Sequence, residues 1–195
     1  MKPYFETNHV AGVLLLIVTL AWGAMELGRT NNTRQDGVKV GGGGRQFAIL
    51  PTMAIATTAL YLGPRIVPSA AIRPGAAVFS VGVVVLVGGL VLRGWSILTL
   101  GNYFTGRVIV SPDQPVVTAG PYRLLRHPSY TGFLLACVGV GLASANWVSL
   151  AAMVLLPLAV LCWRIRVEET ALAEIVGDRY RAYAAQHKRL VPFVW

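Results

Sequence analysis

Two polar clusters hold the residue types that can do chemistry in this chain, and both interrupt a largely apolar sequence. The first, residues 119–132, reads AGPYRLLRHPSYTG. The second, residues 164–183, reads RIRVEETALAEIVGDRYRAY. An arginine at a membrane edge binds a carboxylate in a fork geometry, and a glutamate there binds a cation or a ribose. We therefore expect the two clusters to meet on one face of a membrane and to form a site.

In the first cluster, helix formation is interrupted at His127. Pro128 restricts His127 to an extended conformation, so no helix is expected to run straight through this point. Arg126 and His127 then stand just before the next apolar run, where simple anchoring at the membrane interface is the alternative to a functional role. A metal site is disfavoured, because no histidine lies near His127 in sequence and no HxxE or CxxC pattern accompanies it.

The second cluster begins where an apolar run ends. Arg164 and Glu168 are four residues apart, so they share one face of a helix. The alternative to a binding role is an ordinary ion pair, which is worth only about a few tenths of a kcal/mol in an isolated helix. Residue types alone leave both interpretations open.

The composition indicates an integral membrane protein. Of 195 residues, 55% are hydrophobic and 13% are charged, whereas about a quarter of the residues in a soluble domain are charged. The net charge is +9, but the Lys and Arg residues stand in the gaps between apolar runs. That placement is typical of juxtamembrane anchors and disfavours nucleic-acid binding. Cys137 and Cys162 lie within apolar runs, which favours core packing over a disulfide.

Five apolar runs predict an all-α bundle with about five transmembrane helices, at residues 10–27, 47–62, 75–92, 131–143 and 147–163. The third run continues towards residue 100, and the short turn 144–146 implies an antiparallel hairpin. We interpret residues 1–195 as one membrane domain, with three spans in 1–100 and both polar clusters in 101–195. A cleaved signal peptide is the alternative for the first run, and its weakly basic start disfavours it.

Glycines mark two further features. Gly82, Gly88 and Gly89 would let a neighbouring helix approach the third span closely. The run of four glycines at 41–44 is expected to be flexible. It lacks the GxGxxG or GK[ST] spacing of a phosphate-binding loop.

Charge distribution predicts the orientation in the membrane. Loops 28–45 and 101–130 and the tail 164–195 hold most of the Lys and Arg residues, and the opposite side holds Lys2, Arg65 and Arg73. By the positive-inside rule the polar clusters face the cytoplasm and the N-terminus lies outside.

Both clusters resemble the motifs of the isoprenylcysteine carboxyl methyltransferase family. The first follows GxYxxxRHPxYxG from Gly120 to Gly132. The second follows RxxxEExxLxxxxGxxYxxYxxxxxRxxP from Arg164 to Pro192. A single apolar hairpin separates the two motifs, and the resemblance covers roughly residues 95–195.

The resemblance implies S-adenosylmethionine as the cofactor, bound in a C-terminal helical pocket on the cytosolic face. It implies that Arg164 faces the carboxylate of a lipophilic, prenyl-cysteine-like substrate. The implied cofactor contacts are Gln114, Val116, Val117, Tyr122, His127, Pro128, Ser129, Tyr130 and Glu168.

Other functions remain as alternatives at this point. One is a methyltransferase that acts on a phospholipid amine or another small lipophile, which an arginine at the acceptor position disfavours. A membrane reductase that uses NADPH and a non-enzymatic membrane scaffold are weaker alternatives, because neither explains both motifs. The sequence predicts membrane lipid and a lipidated substrate as partners, with no nucleic acid and no metal, and leaves the acceptor and the oligomeric state open.

Overall fold

The computed structural model describes residues 2–30, 38–39, 49–104 and 108–192. Within these ranges the chain is mainly helical, and the glycine run 41–44 lies outside them. The helices are α1 Tyr4–Thr7, α2 His9–Thr30, α3 Ile49–Ile66, α4 Gly75–Leu100, α5 Pro128–Ala143, α6 Trp147–Ile175 and α7 Asp178–Gln186. Two short strands, β1 Val38–Lys39 and β2 Ile109–Val110, pair antiparallel with Val38 opposite Val110.

Three of the described helices are long and apolar enough to cross a membrane. They cover His9–Glu26, Gly75–Tyr103 and Trp147–Ile175. Their outer faces expose large apolar side chains, such as Leu20 at 63% and Val84 at 72%, as expected of surfaces that contact lipid tails. Helix α5 is apolar but shorter, at 16 residues. The number of about five membrane spans therefore remains a prediction.

Helix α3 runs further than the sequence predicted. The predicted run ended at residue 62, but the helix continues through Pro64 to Ile66. A proline deprives the carbonyl four residues earlier, here that of Leu60, of its helical partner. The hydroxyl of Ser149 on α6 donates to this carbonyl at 3.3 Å and to that of Ala59 at 3.0 Å, which compensates for the missing amide.

Helices α4 and α5 pack with their backbones nearly touching. A Cβ added at Gly89 of α4 would lie 2.5 Å from the Ala136 amide nitrogen of α5. Gly82 and, on α5, Gly139 are equally confined by the facing backbone. The expected close approach is confirmed for Gly82 and Gly89 but is wrong for Gly88, whose Cβ would meet nothing within 4 Å. This contact fixes the position of α5, whose first turn belongs to the candidate site.

Helix α6 carries the second polar cluster out of the apolar region as one continuous helix. It continues well past the predicted end at residue 163, as far as Ile175. Gly177 separates α6 from α7 and has a φ of 72°, a conformation that glycine adopts without strain. Asp178 lies in the first turn of α7 and accepts a hydrogen bond from Arg181 at 2.7 Å.

Two apolar clusters hold the helices together. The larger one includes residues from each of α1 to α6, among them Phe79, Leu86, Phe133 and Met153. The smaller one joins β2 to the end of α6 and to α7, through residues such as Val110 and Ala171. The candidate site lies over this smaller cluster.

Candidate active site

An open cleft of about 900 Å³, including the space at its mouth, lies where the two polar clusters meet. Its walls come from the end of α4, from β2 and the segment after it, from the residues before α5, from α6 and from α7. The lining includes Leu100, Tyr103, Val110, Arg126, Leu172 and Tyr180 together with most of the residues singled out from the sequence.

The first turn of α5 places a histidine and a tyrosine side by side in this cleft. His127 precedes the helix and Pro128 occupies its first position, where the missing amide of a proline costs nothing. The rings of His127 and Tyr130 stack with centroids 5.4 Å apart and planes within 9° of parallel. The proline therefore starts the helix so that both rings reach the cleft.

The hydroxyl of Tyr130 joins the two α6 residues that the sequence singled out. It donates to Glu168 Oε2 at 2.7 Å and accepts from Arg164 Nε at 2.8 Å. The Arg164 guanidinium also lies 5.8 Å from the centre of the Tyr130 ring, within range of a cation–π contact. One side chain from α5 thus holds a positive and a negative group of α6 in fixed positions on the cleft wall.

Glu169 joins the second cluster to the first and to the tail segment, residues 187–192. Its Oε1 lies 2.9 Å from Arg126 Nη1 and 3.2 Å from His127 Nε2. Its Oε2 accepts from Arg189 Nε at 2.9 Å. The side chain is only 11% exposed, so a carboxylate at this depth needs such partners. It therefore locks three segments together immediately behind the cleft.

Main-chain hydrogen bonds hold the tail segment against the residues before α5. The amide of Arg126 donates to the Lys188 carbonyl at 2.8 Å, and that of His127 donates to the Arg189 carbonyl at 3.0 Å. The Thr131 hydroxyl donates to the Leu190 carbonyl at 2.7 Å. The expected meeting of the two clusters is therefore confirmed, with His127 and Glu168 lining the same cleft.

Three further tyrosines, Tyr122, Tyr180 and Tyr183, line the cleft. Burial raises the pKa of Tyr122, to which the negative charge of Glu168 contributes, and burial also raises the pKa of Tyr180. Burial raises the pKa of Tyr183 to about 12, and its hydroxyl donates to the Tyr122 and Leu125 carbonyls at 2.8 and 3.1 Å. All three hydroxyls therefore stay neutral donors at physiological pH.

Nine of the ten residues predicted for the site line this one cleft. They are Gln114, Val116, Val117, Tyr122, His127, Ser129, Tyr130, Arg164 and Glu168. Pro128 does not line it. This proline is almost fully buried as the first residue of α5, so its role is to orient its neighbours.

Several residues at the cleft were missed from the sequence. Glu169 was not predicted as a site residue, although it directly follows Glu168 in the second motif. Ile109 and Val110 line the cleft from a strand too short to show any periodicity. Arg93 lies within an apolar run, and its contacts come from distant residues, so no local pattern reveals it.

Comparisons with known proteins agree with this geometry. Residues 81–174 match the model of the isoprenylcysteine carboxyl methyltransferase (ICMT) family. A solved structure of the eukaryotic intramembrane Ras methyltransferase ICMT superposes with a TM-score of 0.63 at 27% identity, covering 80% of this chain and 55% of that chain. The match to the ICMT family model thus covers just under half of the 195-residue chain.

Curated relatives carry the family's name. Protein-S-isoprenylcysteine O-methyltransferase A of Arabidopsis thaliana is 36% identical over 115 residues, which is 58% of each chain. A probable protein-S-isoprenylcysteine O-methyltransferase of Oryza sativa subsp. indica is 34% identical over 116 residues, covering 58% of this chain and 61% of the relative. The match thus spans less than two thirds of either relative. The family match covers the first polar cluster and the second as far as residue 174, and the fold is mainly helical and similar to that of the solved ICMT structure.

Proposed function

We propose that this protein transfers a methyl group from S-adenosylmethionine to the carboxylate of a lipophilic, prenyl-cysteine-like substrate at the cytosolic face of a membrane. The observation that carries the proposal is the Arg164–Tyr130–Glu168 chain of hydrogen bonds in an open cleft at the end of membrane-length helices. The names of the relatives describe O-methylation of S-isoprenylcysteine, which supports a carboxylate acceptor.

The residues of the cleft fit the proposed cofactor. Among the described residues, the buried Arg126 Nε and Tyr180 hydroxyl make no hydrogen bond of good geometry, although the Arg126 guanidinium is close enough to Tyr180 to affect its pKa. Such groups suit a polar ligand that carries a carboxylate and hydroxyls. Glu168 and the tyrosine rings suit a cationic centre, and Val116 and Val117 offer an apolar surface for an adenine ring.

Methylation of a carboxylate needs alignment and loss of water more than acid–base chemistry. When bound, S-adenosylmethionine would supply a sulfonium methyl group, so that an O–C bond forms as the S–C bond breaks and its electron pair returns to sulfur. Arg164, held through Nε by Tyr130, would orient the carboxylate and balance its charge. Walls formed by Leu100, Val110 and Leu172 would exclude water from the nucleophile. Alignment of the carboxylate with the methyl group would lower the activation free energy of the displacement by several kcal/mol.

The surroundings of the cleft support a lipophilic substrate. Tyr103 lines the cleft and is also 39% exposed, and nearby on α4 Leu98 is 77% exposed. Leu124, just after the Tyr122 turn, is 65% exposed. Apolar groups exposed at the end of a membrane helix favour contact with lipid tails over contact with water. A substrate chain would therefore lie in the bilayer while its carboxylate enters the cleft.

Two measurements test the proposal on the purified full-length protein. Calorimetry should show binding of S-adenosylhomocysteine, with NADPH as the competing nucleotide. Labelled methyl transfer should then favour prenyl-cysteine analogues over fatty acids and lipid amines. Binding of NADPH without S-adenosylhomocysteine would overturn the proposal, and methylation of lipid amines alone would assign a different acceptor.

The proposed orientation has its own test. Single cysteines introduced at Arg123 and at Arg73 should differ in labelling by an impermeant reagent added to intact cells, with Arg73 labelled and Arg123 protected. The reverse pattern would place the cleft outside.

A further inference from the structure

A buried arginine behind the cleft connects it to the first membrane helix. Arg93 lies on α4 with its side chain only 8% exposed. Its Nε and Nη2 donate to the two carboxylate oxygens of Glu26 on α2, at 2.5 and 2.8 Å. The Trp22 indole donates to the same carboxylate at 3.1 Å. This arrangement is a two-point fork, which only an arginine provides.

The remaining nitrogen of Arg93 reaches the site itself. Its Nη1 donates to the Ser129 carbonyl at 3.1 Å and to the Ser129 hydroxyl at 3.0 Å. Ser129 lines the cleft and stands in the first turn of α5, between His127 and Tyr130. The guanidinium also lies 5.1 Å from the centre of the Phe133 ring, one turn further along α5.

The location of these partners is informative. Arg93 and Ser129 lie within the region that matches the family, whereas Glu26 lies outside it. An ion pair that only joined two helices would not need a third partner in the cleft. Here every nitrogen of one guanidinium is used, and the fork to Glu26 fixes the direction in which Nη1 points.

We propose that Arg93 is a positioning residue for the active site and that Glu26 holds it in register. Through Ser129 it sets the first turn of α5, and so the placement of the His127 and Tyr130 side chains in the cleft. This inference rests on the proposed function for its effect on catalysis, but its effect on the turn is independent of the reaction.

Arg93→Lys separates positioning from simple stabilisation. A lysine keeps the positive charge beside Glu26, but its one nitrogen cannot occupy the three positions from which Nε, Nη1 and Nη2 of Arg93 reach Glu26 and Ser129. We expect an unfolding temperature close to that of the wild type, together with faster hydrogen exchange confined to the peptide that covers residues 127–133. The dissociation constant for S-adenosylhomocysteine should rise by roughly tenfold or more, since small displacements of positioning groups have effects of that size.

The control is another arginine that is paired with a glutamate of a different helix. Arg65 of α3 binds both carboxylate oxygens of Glu6 through Nη2 at 2.8 Å and lies away from the cleft. Arg65→Gln should leave S-adenosylhomocysteine affinity and kcat unchanged. Arg93→Gln, which removes the charge as well, should lower both stability and affinity.

The outcomes are distinct. An Arg93→Lys protein with wild-type affinity and wild-type exchange at the turn would overturn the inference. Hydrogen exchange that rises uniformly in all helices would also overturn the inference, and so would an Arg93→Lys protein that cannot fold. Either result would show that Arg93 has a purely structural role. If the wild-type protein does not bind S-adenosylhomocysteine, the proposed function fails, while the exchange pattern still decides the effect of Arg93 on the turn.

Discussion

The Tyr130 hydroxyl donates a 2.7 Å hydrogen bond to Glu168 Oε2. The same hydroxyl accepts from Arg164, so a residue of the first polar cluster sets the geometry of two residues of the second. The cleft thus depends on a contact between side chains far apart in sequence, and its properties can be tested one group at a time.

Arg164→Ala should abolish methyl transfer while S-adenosylhomocysteine still binds. Loss of the proposed carboxylate partner should lower kcat/KM by about a hundredfold or more, the scale observed when one stabilising donor is removed from an active site. Calorimetry and a labelled-methyl assay on the same preparation measure both effects. Simultaneous loss of binding and turnover would show that Arg164 has a structural role instead.

Tyr130→Phe should lower kcat/KM by roughly tenfold to a hundredfold, because Arg164 and Glu168 lose the hydroxyl that holds both. The phenyl ring still stacks on His127, so the fold should persist. Steady-state kinetics with circular dichroism measure the two quantities. Tyr61→Phe is the control, since this tyrosine of α3 is 44% exposed and lies outside the cleft lining. Equal losses in the two variants would contradict the assignment.

Glu169→Gln should destabilise the protein by about 3 kcal/mol, because it leaves the guanidinium groups of Arg126 and Arg189 without their shared buried carboxylate. Asp178→Asn provides the comparison. It removes the ion pair to Arg181, in which the two side chains are 60% and 96% exposed, and should cost less than about 0.5 kcal/mol. Thermal unfolding in one detergent ranks the two variants. A smaller shift for Glu169→Gln than for Asp178→Asn would contradict the role of Glu169.

Gly89→Ala should lower the stability of the protein and Gly88→Ala should not, although the two positions are adjacent. A methyl group at Gly89 meets the backbone of α5, which should cost about 1–3 kcal/mol. A methyl group at Gly88 meets nothing within 4 Å and should be neutral, or stabilising by up to about 1 kcal/mol through helix propensity. Unfolding temperatures of both variants test the packing of α4 on α5. A stable Gly89→Ala protein would show that the two backbones are further apart.

Alkaline pH should destabilise the protein, and Tyr183 should contribute to the effect. Burial raises the pKa of Tyr183 from its ordinary value of 10.0 to about 12. Between these values the unfolded chain has lost the proton and the folded chain keeps it, so stability falls as pH rises. The unfolding temperature should therefore begin to drop near pH 10. Tyr183→Phe should drop less steeply, although it is less stable at pH 7 because it lacks the hydrogen bonds to the Tyr122 and Leu125 carbonyls. An unchanged slope would contradict this role.

Local chemistry accounts for what the sequence predicted well. Pro128 interrupts the helix and starts a new one, and this effect does not depend on distant contacts. The end of α6 was misplaced because charged residues after Cys162 end the apolar run without ending the helix. The residue at which a chain leaves the lipid need not be the residue at which its helix ends, and hydropathy indicates only the former.

Pairwise contacts between distant residues account for what was missed. Arg93 reads as an isolated charge in an apolar run until Glu26 and Ser129 are seen beside it. In the sequence Pro64 favours the end of a helix, and only the structure shows that the Ser149 hydroxyl donates to the Leu60 carbonyl. In both cases the partner lies on another helix, so no window of sequence contains the cause. The cleft residues, by contrast, were found through spaced motifs rather than periodicity.

The hydrogen bonds from Arg126 and His127 to the Lys188 and Arg189 carbonyls also bear on biosynthesis. Translation delivers both helices of the hairpin to the membrane before the ribosome releases residues 188–190. The cleft can therefore be completed only after both helices of the hairpin have been synthesised. A nascent chain stalled between these events would have its hairpin in the bilayer but an incomplete cleft.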